Sequence, residues 1–337
     1  MLHDKLLMSL CINKAWESQT LTLPNPAVAA MVVDQNGQIL SLASHQKSGL
    51  PHAEVLALKE AYFTLTNDER IQKITDSKAL HDFLSANHNE IFHNCSIYVT
   101  LEPCTHYGKT PPCAMLLKTL SPKRVIIGAL EHTHNKGGKE ILKAQNIEVV
   151  SEICKEQCQD LLFPFIRYQN QKKFNLFKIA QRLNGDYKSG AISSHEARIF
   201  THKQRSISNQ ILISQNTLIA DDPLLDSRFA TEPFLQKQPC IGILTKNKDS
   251  LAKTYKIFEN KREVLLHTHT PILQEGFNII EGGWKLFQSF KEQIDLLLVH
   301  ISPTLRENAN QYGFNYNGKI LHHQRIGEDV ILWIKNS

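Results

Sequence analysis

The chain has 337 residues, of which 42% are hydrophobic and 21% are charged, and its formal net charge at pH 7 is +5. At roughly 150 residues per domain, this length predicts two domains. No run of about 18 apolar residues occurs, which excludes a membrane-spanning helix. The basic residues are spread along the chain, so the charge suits phosphorylated small molecules as well as nucleic acid and does not distinguish between them.

Strand-like and helix-like patterns alternate through the first half of the chain, which is typical of α/β proteins. Two short strands, at 27–33 and 39–42, predict a hairpin, and a helix is predicted from Ala53 to about Leu65. The segment 66–94 is polar with apolar residues at helical spacing, which predicts one or two surface helices. The remaining predictions are a strand at 97–101, a helix at 112–120, a strand at 124–130, a helix at 137–146 and a strand at 148–150.

A polar stretch at 167–173 predicts a domain boundary, and the pattern beyond it predicts a second α/β domain. The elements predicted there are a helix near 194–209 and strands at 174–180, 210–214, 240–244, 263–267, 278–280 and 295–301. The predicted organisation is therefore a first domain at 1–150, a connecting segment at 151–173 and a second domain at 174–337.

Four residues in two separate segments have the chemistry of a zinc-dependent deaminase. His52 and Glu54 stand at the predicted start of a helix, whereas Cys104 follows a predicted strand and Cys113 begins another predicted helix. One His and two Cys ligands hold zinc and leave a fourth position for water, while a Glu beside the ligand His serves as general acid and base. Eight residues separate the cysteines, against two in the usual signature. The alternative is a core histidine, a surface glutamate and two buried thiols.

The sequence TLEPCTHYGKTPPC at 100–113, together with HAE at 52–54, resembles the deaminase domain of the bifunctional riboflavin-biosynthesis deaminase/reductase family. The resemblance implies a cytidine-deaminase-like three-layer fold, bound Zn²⁺ and hydrolytic deamination of 2,5-diamino-6-ribosylamino-4(3H)-pyrimidinone 5′-phosphate. It implies that His52, Cys104 and Cys113 hold the metal, that Glu54 is catalytic and that Asn25 contacts the pyrimidine. Further candidates for substrate contact are His45, His106 and Lys109, and the segment 135–138 also matches the family.

The second half resembles the reductase domain of the same family, which has a dihydrofolate-reductase-like fold and uses NADPH to convert the ribosyl group to a ribityl chain. The matching segments are KIAQRLNG at 178–185, the helix that carries Arg205, TLIADDP at 217–223 and EGG at 281–283. The resemblance implies substrate contacts by Lys178, Arg205, Asp221, Arg228 and Glu281. It implies cofactor contacts by Thr217, Gly282 and Gly283.

The sequence also departs from the family pattern in several places. The segment 66–94 is longer than in relatives, whereas 186–193 is short and lacks the usual Trp. Asn184 stands where Asp is usual, and no clear glycine-rich loop follows Val299. These departures predict a trimmed reductase domain. Two outcomes stay open, namely an active reductase with fewer cofactor contacts and an inactive domain with a structural role.

Two other functions are compatible with part of the sequence. One is a deaminase of tRNA or free nucleosides with an unrelated tail, which the motif at 105–113 and the Asp221–Pro223 segment argue against. The other is a scaffold stabilised by zinc, which has no need of a residue such as Glu54. The odd set of seven cysteines and the absence of a signal-peptide pattern predict a cytoplasmic enzyme. The expected partners are a small pyrimidine ribose phosphate and further copies of the chain, with no nucleic acid and no membrane.

Overall fold

The computed structural model describes residues 2–131, 137–188, 190–234, 237–249, 251, 254–259, 262–307 and 313–336. The chain divides into two compact units, at 1–165 and 166–337. The division lies inside the segment 151–173 that the sequence predicts as the connection. Among the described residues, no helix combines the length and the apolar character that a membrane span requires.

The first unit is a five-stranded mixed sheet with helices, in the order β2-β1-β3-β4-β5. Strand β1 pairs antiparallel with β2 on one side and with β3 on the other. Strand β4 pairs parallel with β3 and with β5. Its elements are α1 (Leu2–Trp16), β1 (Ala29–Val33), β2 (Ile39–Ser44), α2 (Ala53–Thr66), α3 (Ser77–Asn87), β3 (Ser96–Leu101), α4 (Cys113–Leu120), β4 (Arg124–Ala129), α5 (Gly138–Ala144), β5 (Glu148–Val150) and α6 (Lys155–Gln171), which contains the division between the units.

The hydrophobic pattern explains why these elements form and where they pack. All five side chains of β1 are buried, and so are the last five of β3 and of β4, as expected for central strands covered on both faces. Helices α1 and α2 pack against β1 and β2. The segment 66–94 forms a short 3₁₀ turn and α3, and α3 buries Leu80 and Leu84 as it packs against α2 and α4. This segment is therefore part of the packed unit.

The second unit is an eight-stranded sheet in the order β12-β13-β11-β6-β10-β7-β8-β9. The six strands from β11 to β9 are parallel, and β12 and β13 add an antiparallel pair. Its elements are β6 (Lys173–Arg182), α7 (His195–Ile207), β7 (Gln210–Ser214), α8 (Gln215–Asp221), β8 (Cys240–Leu244), β9 (Val264–His267), β10 (Gly276–Glu281), α9 (Trp284–Phe290), β11 (Leu296–Ser302), β12 (Gly318–Ile326) and β13 (Asp329–Asn336).

Parallel pairing sets the position of the candidate residues in this sheet. Strand β6 lies between β10 and β11, and Lys178 is the register partner of Glu281. The two side chains therefore project from the same face of the sheet. Phe177 precedes Lys178 in β6 and therefore projects from the opposite face of the sheet. Its ring contacts that of Phe287 on α9, with 5.1 Å between centroids, and this contact holds α9 against the sheet.

Candidate active sites

The three predicted metal ligands come together at the ends of separate elements. His52 is the N-cap of α2, Cys113 is the first residue of α4 and Cys104 follows β3. The Nδ1 atom of His52 lies 3.6 Å from the Cys104 sulfur and 3.4 Å from the Cys113 sulfur. All three ligand atoms lie within 4.8 Å of one another. One imidazole nitrogen and two sulfurs are the donor set of a zinc site with an open fourth position, so these residues fit zinc.

Further hydrogen bonds orient the ligands. Cys104 caps α4, because its carbonyl oxygen accepts from the N–H of Ala114 and its sulfur accepts from the N–H of Cys113. On the other side, Nε2 of His52 lies 3.0 Å from Oγ1 of Thr110, which directs Nδ1 towards the sulfurs. A fixed second nitrogen is usual for metal-binding histidines. Thr110 lies inside the motif at 100–113, but the sequence alone does not predict this contact.

Glu54 lies in the first turn of α2 and is 4% exposed. Burial raises the pKa of this carboxyl to about 7, against the opposing effect of His52. Beside His52, Nδ2 of Asn25 donates to Nε2 of His45 at 3.3 Å, and Nδ1 of His45 donates to the carbonyl oxygen of Pro51 at 3.1 Å. The ring of His45 lies edge-on to that of His52, so Asn25 is placed beside the cluster through His45.

The remaining candidates of the first unit lie outside this buried cluster. His106 and Lys109 stand on the exposed loop between the two cysteines. Asn135 and Lys136, part of the matching segment 135–138, fall outside the described residues. Gly138 is described, and a Cβ at this position would lie 2.1 Å from the carbonyl oxygen of Pro103. Only glycine therefore permits this close approach beside Cys104.

Glu102 is a buried residue near the metal cluster whose contacts the sequence alone does not predict. Its carboxylate is buried and accepts the backbone N–H groups of Glu131, Gly137 and Lys139, at 3.0, 3.2 and 2.9 Å. It thus ties the start of α5 to the chain two residues before Cys104. The adjacent Pro103-Cys104 pair indicates metal chemistry. No local sequence pattern predicts that the Glu102 carboxylate accepts hydrogen bonds from a loop about thirty residues further along the chain.

Replacing Glu102 by Ala is expected to weaken zinc binding about 10- to 100-fold, the range for residues that support metal ligands indirectly. The substitution leaves three partly buried backbone N–H groups without their acceptor, close to the segment that carries Cys104. Competition with a chromophoric chelator measures the affinity. Glu140→Ala, at an exposed position on α5, is the matched control. Equal affinities for the two variants would show that Glu102 does not support the site.

In the second unit, three predicted residues meet on one face of the sheet. The guanidinium of Arg205 on α7 donates from Nε and Nη2 to the two carboxylate oxygens of Glu281, at 2.8 and 2.7 Å. Burial opposes ionisation of Glu281, but the charge and hydrogen bonds of Arg205 prevail and lower its pKa to about 2. Burial lowers the pKa of Lys178, while Glu281 acts in the opposite direction.

Asp226 connects Arg228 to the Arg205–Glu281 pair. Arg205 also donates to the backbone carbonyl oxygen of Asp226, whose carboxylate accepts from Nη1 of Arg228 at 2.7 Å. His202 lies 3.9 Å from the same carboxylate. The sequence alone does not predict these contacts of Asp226 and His202, although α7 carries His202 one turn before Arg205. Arg228 is exposed, whereas the guanidinium of Arg205 is engaged with Glu281.

The candidate cofactor residues lie where β7 and β10 end. Thr217 is in the first turn of α8, and its N–H and hydroxyl both bond to Ser214. Gly282 lies beside Thr217, since a Cβ there would be 3.4 Å from Oγ1 of Thr217. A Cβ on Gly283 would lie 2.1 Å from the ring of Tyr187, so that ring occupies the space beside Gly283.

Asp221 and the short loop at 186–193 are the last candidate features of the second unit. Asp221 ends α8 at an exposed position, and its neighbour Asp222 forms an ion pair with Lys256 at 3.3 Å. In the turn after β6, Arg182 and Asp186 form a buried ion pair at 3.3 Å. The short loop is therefore anchored at its beginning.

Comparisons with known proteins cover both units. Residues 1–129 match the family described as the cytidine and deoxycytidylate deaminase zinc-binding region, and residues 182–315 match the RibD C-terminal domain. The riboflavin biosynthesis protein RibD of Aquifex aeolicus is 28% identical over 98% of each chain. RibD of Mycobacterium tuberculosis is 27% identical over 88% of this chain and 84% of its own.

Solved structures agree with this assignment over the whole chain. Acinetobacter baumannii RibD is 25% identical and superposes with a TM-score of 0.63 over 99% of each chain. A deaminase/reductase from Thermotoga maritima, 21% identical, shares the fold with a TM-score of 0.65 over the same fraction. With both domain types present in the order found in these proteins, the chain belongs to the RibD family of bifunctional riboflavin biosynthesis deaminase/reductases.

Proposed function

We propose that the first unit deaminates 2,5-diamino-6-ribosylamino-4(3H)-pyrimidinone 5′-phosphate hydrolytically. The observation that carries this proposal is the cluster of His52, Cys104 and Cys113, with Glu54 buried in the first turn of the helix that His52 begins. Zinc held by these three residues supplies Lewis-acid activation of water near neutral pH.

The residues of the chain have separate tasks in this reaction. Glu54 accepts the proton of the attacking water and delivers it to the departing amino nitrogen, so that the C–N bond breaks and ammonia leaves. Thr110 holds the His52 ring in its ligand orientation through Nε2. Asn25, fixed by His45 and by the hydroxyl of Ser48, presents its amide to the pyrimidine.

For the second unit we propose reduction of the ribosyl group to a ribityl chain by NADPH. Lys178, Glu281 and Arg228 are proposed to hold the substrate, with Arg205 fixing the carboxylate of Glu281. The carboxyl ends of β7 and β10, with Thr217, Gly282 and Gly283, are proposed to receive the cofactor, because ligands of parallel sheets bind beyond these ends. Asp221 is kept as a candidate substrate contact at the end of α8.

A direct assay decides whether the reductase unit is active. The deaminated ribosylamino pyrimidinedione phosphate is supplied with NADPH, and the loss of reduced-nicotinamide absorbance is followed. Turnover is expected, because the core contacts of Lys178, Arg205 and Glu281 are present although the loop at 186–193 is short. Deamination by the same preparation is the control. Deamination without NADPH oxidation would favour the inactive, structural reductase domain.

The proposal also includes the cellular location and the oligomeric state of the enzyme. All seven cysteines are free of disulfides, which supports a reducing, cytoplasmic location. We further propose a homo-oligomer that acts on a small molecule and binds no nucleic acid. Light scattering of the purified protein tests the oligomer, and a monomer at micromolar concentration would contradict it.

A further inference from the structure

Helix α3 carries two buried polar groups that have no hydrogen-bond partner among the described residues. Ser77 and His81 lie at positions i and i+4 and therefore on one face of the helix. Their side chains are 6% and 7% exposed, and neither Oγ of Ser77 nor Nε2 of His81 makes a hydrogen bond. Burying a polar atom without a partner costs folding free energy, so two such atoms on one helix face require an explanation.

The position of α3 relates both groups to the deaminase site. The helix packs against α2 and α4, which begin at His52 and Cys113. The charges of Cys104 and His52 act on the His81 imidazole. Lys78, next to Ser77, interacts electrostatically with Tyr107 on the exposed loop between the two cysteines. The first half of α3 therefore borders the metal cluster and this loop.

The segment that carries α3 is firmly attached to the unit. Nζ of Lys59 on α2 donates to the carbonyl oxygens of Gln72 and Ile74, at 3.2 and 2.8 Å. The ring of Phe83 packs edge-on against that of Tyr62, with 5.5 Å between centroids. These contacts hold α3 in place, so Ser77 and His81 occupy defined positions beside the site.

Charges around α3 indicate which part of a substrate these groups would contact. The carboxylate of Asp76 caps the helix by accepting the N–H of Ala79 at 2.8 Å, which places negative charge at the helix N-terminus. Lys78 is paired with Asp82 at 2.8 Å. A phosphate is therefore disfavoured here, whereas an uncharged hydroxyl, amino or carbonyl group matches a hydroxyl and an imidazole nitrogen.

We propose that Ser77 and His81 are substrate-binding residues of the deaminase site, which form hydrogen bonds to uncharged polar groups of the heterocycle or sugar. This inference rests on the proposed deamination and assigns a role to the segment 66–94 in it. The bound substrate provides the partners that the two side chains lack within the chain.

Five variants of the full-length zinc-loaded protein test this assignment. His81→Leu and Ser77→Ala remove the hydrogen-bonding groups, while His93→Leu and Ser85→Ala make the same changes at exposed positions of the segment. With the diaminopyrimidine substrate, KM is expected to rise about tenfold for His81→Leu and about threefold for Ser77→Ala, with smaller changes in kcat. His81→Gln, which restores a hydrogen-bonding group, is expected to recover part of the loss.

Three further readouts separate substrate binding from a structural role. Zinc content and the reductase rate are expected to stay unchanged, and the melting temperature of His81→Leu is expected to equal or exceed that of the unmodified protein. A KM within about twofold of the unmodified value for both variants would overturn the proposal. Loss of zinc would assign His81 to the metal cluster and overturn it too. If His81→Leu fails to fold, His81→Gln and Ser77→Ala decide, whereas an unmodified protein without deaminase activity refutes the proposed function itself.

Discussion

Replacing Glu54 by Gln is expected to lower the kcat of deamination about 10²- to 10⁴-fold while zinc remains bound, because the amide cannot carry a proton between water and the leaving nitrogen. His52, Cys104 and Cys113 are untouched by the change, and Gln keeps the shape of the buried side chain. Ammonia release measures the rate, and elemental analysis measures the zinc.

Glu60→Gln is the matched control, since Glu60 lies on the same helix at an exposed position. The reductase rate of the Glu54 variant serves as an internal check on folding, because that activity belongs to the other unit. Deamination at the unmodified rate by Glu54→Gln would remove this residue from the reaction.

Arg205→Leu is expected to destabilise the second unit by about 3–5 kcal/mol, since it leaves the buried carboxylate of Glu281 without its partner. The double variant Arg205→Leu with Glu281→Leu is expected to recover about half of that loss, because neither member of this ion pair is left alone, while Lys178 still loses the favourable effect of the Glu281 carboxylate. Neither variant is expected to oxidise NADPH, because both lose the fixed carboxylate. Urea unfolding measures the stability, and Arg198→Leu, exposed on the same helix, is the stability control.

The pH dependence gives a second readout of the same pair. The pKa of Glu281 is about 2 in the folded chain, against an ordinary value of 4.5. Because the folded value is the lower one, the contribution of the pair is complete above about pH 5 and is lost as the pH falls towards 2. The double variant is expected to lack this part of the acid sensitivity. An unchanged acid profile in the double variant would contradict the assignment.

Much of the first unit could be predicted from local sequence alone. The hairpin of β1 and β2, the start of α2 at Ala53 and the start of α4 after Pro112 follow from turn residues and periodicity, and the structure confirms them. The metal cluster was predictable for a related reason. Its ligands lie at the ends of helices and strands. One His and two Cys with an adjacent Glu are typical of a catalytic zinc site and of few other sites.

Long-range pairing explains most of what the sequence did not reveal. The polar stretch after Ile166 predicts a connection, yet in the structure it continues α6, and Arg167 on that helix pairs with Asp295 at 2.7 Å. Strands β12 and β13 were not predicted, and β13 is stabilised by its pairing with β11. The contact of Arg205 with Glu281 spans 76 residues and follows from the packing of α7 on the sheet, which periodicity does not encode.

The metal cluster has a thermodynamic consequence for the first unit. Its three ligand atoms are brought within 4.8 Å of one another only by the folded arrangement of residues 52, 104 and 113. A ligand that binds the folded state alone adds about 1.4 kcal/mol of stability for every tenfold rise of its free concentration above Kd. The folded population of the deaminase unit therefore depends on the concentration of free zinc.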